Sequence, residues 1–304
     1  MLFRIVERKW WYFLFSGIVL VPGIVFLLLG GLKPGIEFRG GTLLDVTFSA
    51  PPLAEEVREV MISLGHDEAI PQGAEGGRVL IRTAQLTPAE QSAVEEALEE
   101  RFGQDVTQNA STVSPSFSAE LVQNAIGAVV AASALIVLLI AFAFRAYGWG
   151  AFRYGLAAIV AVLHDAFLVL GVFAILGYFL NVEVDSLFVT AILTIIGFSV
   201  HDTIVVFDRI RENLRVSAGE PLNPIINFSI MQTMVRSVIT SITTLLPLVA
   251  LYAFGGYSIR NFALALVIGI IAGTYSSIFN AAQVVSLWQE IEDRLRLRRE
   301  PAAA

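Results

Sequence analysis

The chain has 304 residues, of which 56% are hydrophobic and only 15% are charged, and its mean hydropathy is +0.71. Soluble proteins carry about 25% charged residues, so this composition leaves too little charge to cover a water-facing surface and excludes an ordinary cytosolic enzyme. A net charge of −7 excludes the broad basic surface of a nucleic-acid-binding protein. Because cysteine is absent, disulfides, thiolate metal sites and a cysteine nucleophile are excluded as well.

Six long apolar segments follow one another along the chain, and a helix that crosses a bilayer needs about 20 mostly apolar residues. The predicted transmembrane helices are Trp10–Leu32, Leu121–Phe144, Tyr154–Val182, Ser186–Phe207, Pro221–Ile259 and Asn261–Gln289. The first segment could instead belong to a cleaved signal peptide, since basic residues precede it. Its apolar run exceeds the usual length of roughly 7–15 residues and no small-residue cleavage site closes it, so we expect an uncleaved anchor helix.

Basic residues are concentrated in alternate connections between the predicted helices. They are Arg4, Arg8, Lys9, Arg145, Arg153, Arg209, Arg211, Arg215, Arg294, Arg296, Arg298 and Arg299. Such residues favour the cytoplasmic side of a membrane, so both termini are expected in the cytoplasm. The predicted division is 1–32 for the N-terminus and first helix, 33–118 for an extracytoplasmic domain, 119–290 for the remaining helices and 291–304 for a cytoplasmic tail.

The segment 33–118 is the water-soluble part of the chain, and its acidic residues outnumber its basic ones. A capping box formed by Thr87 and Glu90 around Pro88 marks the start of a helix. The predicted order is strand Thr42–Phe48, helix Leu53–Leu64, strands Glu68–Gln72 and Arg78–Thr83, a helix to Phe102 and strand Asp105–Val113. This β-α-β-β-α-β order predicts a small ferredoxin-like α+β domain. It offers no catalytic constellation, and we expect the chain not to be an enzyme.

Ionisable residues interrupt three of the predicted membrane helices. They are His164 and Asp165 in the third, His201 and Asp202 in the fourth, and Arg236 in the fifth. One ionised side chain at the bilayer centre costs about 2.5–3.5 kcal/mol, and such residues usually face the interior of a helix bundle. With a rise of about 1.5 Å per residue, Asp202 lies about 9–10 Å and Arg236 about 12–14 Å from the cytoplasmic edge. The two can therefore pair if their helix faces meet.

Two interpretations of Asp202 and Arg236 remain open. The pair could be a fixed ion pair that only holds two helices together. Alternatively, Asp202 could bind and release a proton, because burial opposes ionisation of a carboxyl group and a nearby arginine favours it. Hydroxyl groups that could bind relay water are those of Ser199, Thr203, Thr240, Ser241, Thr243 and Thr244. Further polar candidates are His164, Asp165 and His201.

The two His-Asp pairs also suggest a metal site, since imidazoles and carboxylates bind zinc. Adjacent residues on a helix point about 100° apart, so both members of a pair cannot easily face one ion, and no HExxH motif occurs. We predict no metal and no cofactor. Because no phosphate-binding glycine loop occurs either, energy would have to come from an ion gradient or from a partner.

Four blocks of the sequence carry a recognisable pattern. They are Gly35-Ile36-Glu37-Phe38-Arg39-Gly40-Gly41-Thr42, Leu163-His164-Asp165, the stretch 184–213 and the stretch 236–256. These blocks resemble the SecD/SecF family of bacterial protein-translocase subunits, in particular its SecF members, which belong to the RND superfamily. The signature residues are Gly35, Glu37, Phe38, Gly40 and Gly41.

The resemblance implies a polytopic α-helical half unit of the RND type, in which six transmembrane helices and one small outer domain work with SecD in the bacterial inner membrane. It implies that the pair uses the proton-motive force to help unfolded exported polypeptides leave the SecYEG channel, with YajC and YidC as further candidate partners. It places the proton-linked aspartate at Asp202 and its partner arginine at Arg236. The implied coupling ion is H⁺, and Na⁺ remains open.

Two other functions stay in view. The chain could be half of an RND-type proton-coupled exporter of small molecules, or a non-conducting scaffold that only positions SecD. Single-chain exporters of that type usually carry twelve helices and two large outer loops, so six helices and one outer segment favour the translocase subunit.

Overall fold

A computed structural model describes residues 4–50, 52–74, 77–103, 107–144, 149–217 and 219–299. It divides into two compact units, one from Pro34 to Gly127 and one that comprises the chain up to Lys33 and from Ala128 onward. Two residues used above, Asp105 and Arg145, lie outside the described residues. The side chains of Arg296, Arg298 and Arg299 are not described either.

Within the described residues, six helical segments are long and apolar enough to cross a membrane, which confirms the predicted number. They are α1 (Lys9–Leu29), α5 (Pro115–Phe144), α6 (Trp149–Leu180), α7 (Ser186–Val216), α8 (Leu222–Phe254) and a sixth span. That span consists of α9 (Tyr257–Ser276), one π-helical turn (Ser277–Ala281) and α10 (Ala282–Arg299). The two-residue strands β1 (Lys33–Pro34) and β6 (Glu183–Val184) lie near the helix ends.

The fourth and fifth helices end several residues from their predicted ends. The fifth helix ends at Phe254 rather than at Ile259, because Gly255 and Gly256 are extended and separate it from α9. The fourth helix continues past Phe207 to Val216. Its last turns are amphipathic, with Ile210 buried and charged side chains outward, so the helix outlasts the apolar run that defined the prediction.

The unit Pro34–Gly127 is called the outer unit after its predicted position. It contains α2 (Ile36–Arg39), β2 (Gly41–Thr47), α3 (Ala54–Ser63), β3 (Ile70–Ala74), β4 (Arg78–Thr83), α4 (Pro88–Phe102) and β5 (Thr107–Val113). Its four-stranded sheet has the order β3-β4-β2-β5, and every pairing is antiparallel. In the register, Leu44 lies opposite Ile81 on one side and Ala110 on the other. The element order and this arrangement are those predicted for a ferredoxin-like domain.

The core of the outer unit follows from the spacing of its apolar residues. Leu44 and Val46 alternate along β2 and point to one face of the sheet. The helices cover that face with pairs four residues apart, Val57 with Met61 on α3 and Val94 with Leu98 on α4. All six of these side chains are fully buried.

The other unit, which comprises the chain up to Lys33 and from Ala128 onward, is called the membrane unit. Helix α7 is central to it and contacts α6, α8 and α9. Its buried positions include Ser199, Asp202 and Thr203, so the sequence places polar groups on the face that meets the other helices. Helix α1 packs on α6 at a crossing of two glycines. A Cβ atom built on Gly23 would lie 2.8 Å from the Cα atom of Gly171, too close for two carbon atoms. Glycine at this crossing therefore sets how closely α1 approaches α6.

This crossing predicts the outcome of a matched pair of substitutions on α1. Gly23→Val should destabilise the protein by about 1–3 kcal/mol, because the new side chain overpacks the contact with α6. Gly17→Val adds the same β-branched side chain to the same helix where nothing lies within 4 Å, so it should have little effect. The measurement is thermal unfolding of the two purified variants in one detergent, and equal melting temperatures would contradict the prediction.

Candidate functional site

Asp202 is buried in the membrane unit, with 5% of its surface exposed. Its Oδ1 atom accepts a hydrogen bond of 3.0 Å from the hydroxyl of Ser237 on α8. Its Oδ2 atom is buried and has no hydrogen-bond partner among the described residues. The carboxyl group therefore joins α7 to α8 and keeps one oxygen available for a proton or for another donor.

Arg236 precedes Ser237 on α8, and its side chain is exposed in the isolated chain. Among the described residues no carboxylate lies within 4.0 Å of its guanidinium, so the ion pair with Asp202 that equal depth allows is not formed here. Adjacent residues on a helix point about 100° apart. In the observed orientation of α8, Ser237 faces Asp202 and Arg236 points to one side. Arg236 is still close enough to Asp202 for electrostatic interaction.

The guanidinium of Arg236 instead borders a cavity of about 230 Å³ between α7 and α8. Asp208 and Glu212 on α7 also line this cavity, and both already pair with arginines of their own helix. Arg236 thus lies between the buried Asp202 and two carboxylates near the end of the membrane helix. Movement of this one side chain could change which carboxylate it neutralises.

A second buried carboxyl group, Asp165 on α6, makes three hydrogen bonds. The hydroxyls of Ser199 on α7 and Ser276 on α9 donate to Oδ2 at 2.5 and 2.7 Å. The Nδ1 atom of His164 lies 2.9 Å from Oδ1, and its Nε2 atom lies 3.1 Å from the hydroxyl of Ser16 on α1. Four helices therefore meet at this network.

Close packing of α9 makes the network possible. A Cβ atom on Gly273 would lie 3.2 Å from the Cβ atom of Ser199 and 3.6 Å from Oδ2 of Asp165. A hydrogen bond of 2.9 Å joins the hydroxyls of Thr203 and Ser277, at the start of the π-helical turn. Such turns are rare and often occur at functional sites.

The sequence-predicted candidates separate into two groups. Asp165, His164, Ser199, Asp202 and Thr203 are buried together around α7. His201, Arg236 and Thr240 are exposed, and the exposed side of α7 continues through Thr190, Thr194 and Gly197. Polar side chains at membrane depth usually face protein or water rather than lipid.

Sequence reasoning missed four groups that complete the site, namely Ser16, Ser237, Ser276 and Asn280. Serine is also a common helix-packing residue in membranes, so none of them stands out alone. The available signal was spacing, since Ser276 lies three residues after the close-packed Gly273. No group of three or more His, Cys, Asp or Glu side chains in the described part of the chain could hold a metal ion.

The signature glycines have a structural reason. Gly35 precedes α2, and Gly40 and Gly41, with φ angles of 77° and 124°, carry the chain from that short helix into β2. A Cβ atom on Gly41 would lie 2.5 Å from the carbonyl oxygen of Thr83. Glu37 and Phe38 lie on α2 between these glycines. The motif therefore fixes how β2 enters the sheet.

Comparison with known families and structures matches both parts of the chain. Residues 93–291 match the family described as protein export membrane protein SecD/SecF, C-terminal, and residues 25–52 match the SecD/SecF GG motif. The protein translocase subunit SecF of Thermobaculum terrenum is 45% identical, over 99% of this chain and 98% of that one. The SecDF of Bacillus subtilis is 36% identical over 93% of this chain but only 38% of its own length.

A crystal structure of SecDF from Thermus thermophilus, described as a translocon-associated membrane protein, superimposes with a TM-score of 0.85 at 32% identity. The match covers 95% of this chain and 39% of that one. A second SecDF structure, in a super-membrane-facing form, gives a TM-score of 0.71. This chain therefore corresponds to about two-fifths of a SecDF polypeptide.

Gly41→Ala tests the structural reason for the signature motif. Placing alanine at a positive φ angle costs about 1–2 kcal/mol, and at Gly41 the collision with Thr83 adds to that cost. Gly65 has a φ angle of 86°, but a Cβ atom built on it would meet nothing within 4 Å. Gly65→Ala therefore measures the cost of the positive φ angle without a collision. We expect Gly41→Ala to unfold the outer unit at a lower denaturant concentration than Gly65→Ala, measured by limited proteolysis of the full chain. Equal midpoints would contradict this.

Proposed function

We propose that this chain, which belongs to the SecF family of protein translocase subunits, uses the proton gradient across the bacterial inner membrane to assist protein export. In this proposal SecD supplies the other half of the membrane unit, and unfolded polypeptide leaving the SecYEG channel is the cargo. YajC and YidC are further proposed partners. Both termini lie in the cytoplasm and residues 33–118 lie outside, as the distribution of basic residues favours.

The observation that carries the proposal is the incomplete pairing of Asp202. A buried carboxylate is stable when hydrogen bonds and an opposite charge compensate it, and it is costly when they do not. Asp202 has one serine donor, one oxygen without a partner among the described residues, and an arginine nearby but outside contact. It can therefore be neutral and protonated as it stands, or ionised once Arg236 reaches it.

Proton binding would then be linked to helix movement. Arg236 lies on α8 and Asp202 on α7, so ionisation of Asp202 draws the two helix faces together at this level. A proton arriving at Oδ2 neutralises the carboxylate and releases Arg236 toward the cavity that Asp208 and Glu212 share. Alternate access of protons from the two sides of the membrane would make this movement directional.

The proposed SecD surface is the exposed polar side of α7 and α8. It combines His201 and Arg236 with small and hydroxylated residues such as Gly197 and Thr240. Such a surface is unfavourable against lipid tails, and small residues allow another helix to approach closely. The single-chain SecDF relatives, in which the matching region is about two-fifths of the polypeptide, support SecD as the occupant.

The proton role predicts the effect of Asp202→Asn. The variant keeps the size and the hydrogen bond with Ser237 but cannot ionise, so export driven by an imposed proton gradient should fall at least tenfold while the complex still assembles. Asp293→Asn makes the same chemical change at an exposed position of the sixth span, so it is the control and should export at close to the wild-type rate. The assay is export of a reporter polypeptide into vesicles containing the purified complex. Full gradient-dependent export by Asp202→Asn contradicts the proposal, and loss of assembly would favour the scaffold.

The SecD surface predicts a change in accessibility. The natural chain contains no cysteine, so a single spin label can be attached through Thr240→Cys. Collisions of this label with oxygen dissolved in the bilayer should fall severalfold when SecD is added. A label attached through Leu14→Cys, on the exposed side of α1, is the control and should be unaffected. Unchanged collision rates at position 240 would place SecD elsewhere.

A further inference from the structure

A row of buried polar side chains on the sixth span has no part in the function proposed above. Its members are Ser276, Asn280, Gln283, Ser286 and Glu290, at intervals of three or four residues, so they share one side of the helix across the π-helical turn. The first four are at most 4% exposed. At about 1.5 Å per residue the row is roughly 21 Å long.

Helix α1 faces this row with two polar residues seven positions apart, Lys9 and Ser16. The Nζ atom of Lys9 donates to the hydroxyl of Ser286 at 3.4 Å and also pairs with Glu290. The Nδ2 atom of Asn280 donates to the hydroxyl of Ser16 at 2.8 Å. The row therefore runs between α1 and the sixth span, from an ion pair at one end to the His164 network at the other.

The middle of the row contains polar atoms without partners. Among the described residues, Oδ1 of Asn280 and both Oε1 and Nε2 of Gln283 are buried and make no hydrogen bond. Buried polar groups of this kind are commonly satisfied by internal water. Gln283 lies between Asn280 and Ser286. Its amide is therefore suited to hydrogen-bond water in a hydrated path between the Lys9–Glu290 pair and His164.

The far end of the row is the buried pair of Asp165 and His164. Asp165 is fully buried, and among the described residues only His164, within 4.0 Å of it, can carry a positive charge. Near the pair, the other titratable groups are Tyr12 on α1, Tyr275 on α9 and Asp202 on α7, none of them cationic. The cationic Lys9 on α1 lies at the opposite end of the row, where it pairs with Glu290. A neutral imidazole and a carboxylate together carry a charge of −1. The pair is therefore electrically neutral only when it binds one further proton.

The surrounding hydroxyls suit both arrangements of that proton. With the proton on the carboxyl group, Oδ1–H donates to Nδ1 of the neutral His164, whose Nε2–H donates to Ser16. With the proton on the imidazole, Nδ1–H donates to Oδ1 and Nε2–H still donates to the hydroxyl oxygen of Ser16. Ser199 and Ser276 donate to Oδ2 of Asp165 in either case.

We propose that His164 and Asp165 form a second proton-binding site in this chain, reached along the buried row from the Lys9–Glu290 end. The ligand is a proton taken from water, which forms one N–H or O–H bond on the pair and leaves the charge of the pair at zero. The role of this second site in a transport cycle rests on the function proposed above, whereas the existence of the site does not.

Infrared difference spectroscopy of the complex with SecD in lipid nanodiscs, taken between mildly alkaline and mildly acidic pH, tests the site. The expected result is a protonation signal from the pair, in carboxyl or imidazole bands, that is lost in Asp165→Asn and retained in Asp202→Asn. Asp165→Glu, which keeps an ionisable group, should shift the signal rather than remove it. Identical wild-type and Asp165→Asn spectra would overturn the inference, as would a signal that follows sodium concentration at constant pH.

The path is tested by the rate at which that signal appears after a rapid release of protons. Gln283→Met keeps the length of the side chain but removes both polar atoms, and it should slow the signal at least tenfold. Thr274→Val, on another side of α9, is the control and should leave the rate unchanged. An unchanged rate in Gln283→Met would contradict the path. If export did not depend on Asp202 but the protonation signal of the pair were present, the proposed function would be wrong and the second proton-binding site would stand.

Discussion

A carboxyl group inside an apolar helix bundle has to be solvated by the protein itself, and this requirement organises the membrane unit. Asp165 and Asp202 are both buried, and serine hydroxyls from neighbouring helices provide their hydrogen bonds. Each such bond joins two helices, so the polar groups determine which helix faces meet. The glycines of α9 allow the approach, since a side chain at Gly269 or Gly273 would press on α7.

Hydroxyl groups solvate a carboxyl group differently from an arginine. A serine can donate to a carboxylate and remains compatible with a protonated carboxyl group, whereas a guanidinium in contact favours only the charged form. Asp202 has the first kind of partner in contact and the second kind nearby. In the proposed function, the distance between Arg236 and Asp202 decides the charge of this site, and the contact made by Ser237 is compatible with either charge.

The sequence was sufficient wherever a local rule decides the structure. Thr87 and Glu90 form the predicted capping box, and the apolar spacing of the outer unit yields the predicted order of strands and helices. The membrane spans followed from length and composition, and the anomalous charges identified the helices that carry the site. Helix ends were less predictable, because α7 continues as an amphipathic helix beyond its apolar run.

The sequence was insufficient wherever the rotation of one helix against another decides the contact. Depth placed Arg236 level with Asp202, but it could not tell that Ser237 would face the carboxyl group instead. Ser16 and His164 are 148 residues apart, and their contact depends on the crossing of α1 with α6. The π-helical turn shifts the register of the sixth span, which no local pattern announces.

Proton uptake by vesicles that contain the complex and enclose a pH-sensitive dye tests the central claim most directly. Under an imposed gradient, with cargo engaged, the account predicts an inward proton flux that disappears in Asp202→Asn and persists in Asp293→Asn. An equal flux in the wild type and in Asp202→Asn, or transport that follows a sodium gradient at constant pH, would contradict it.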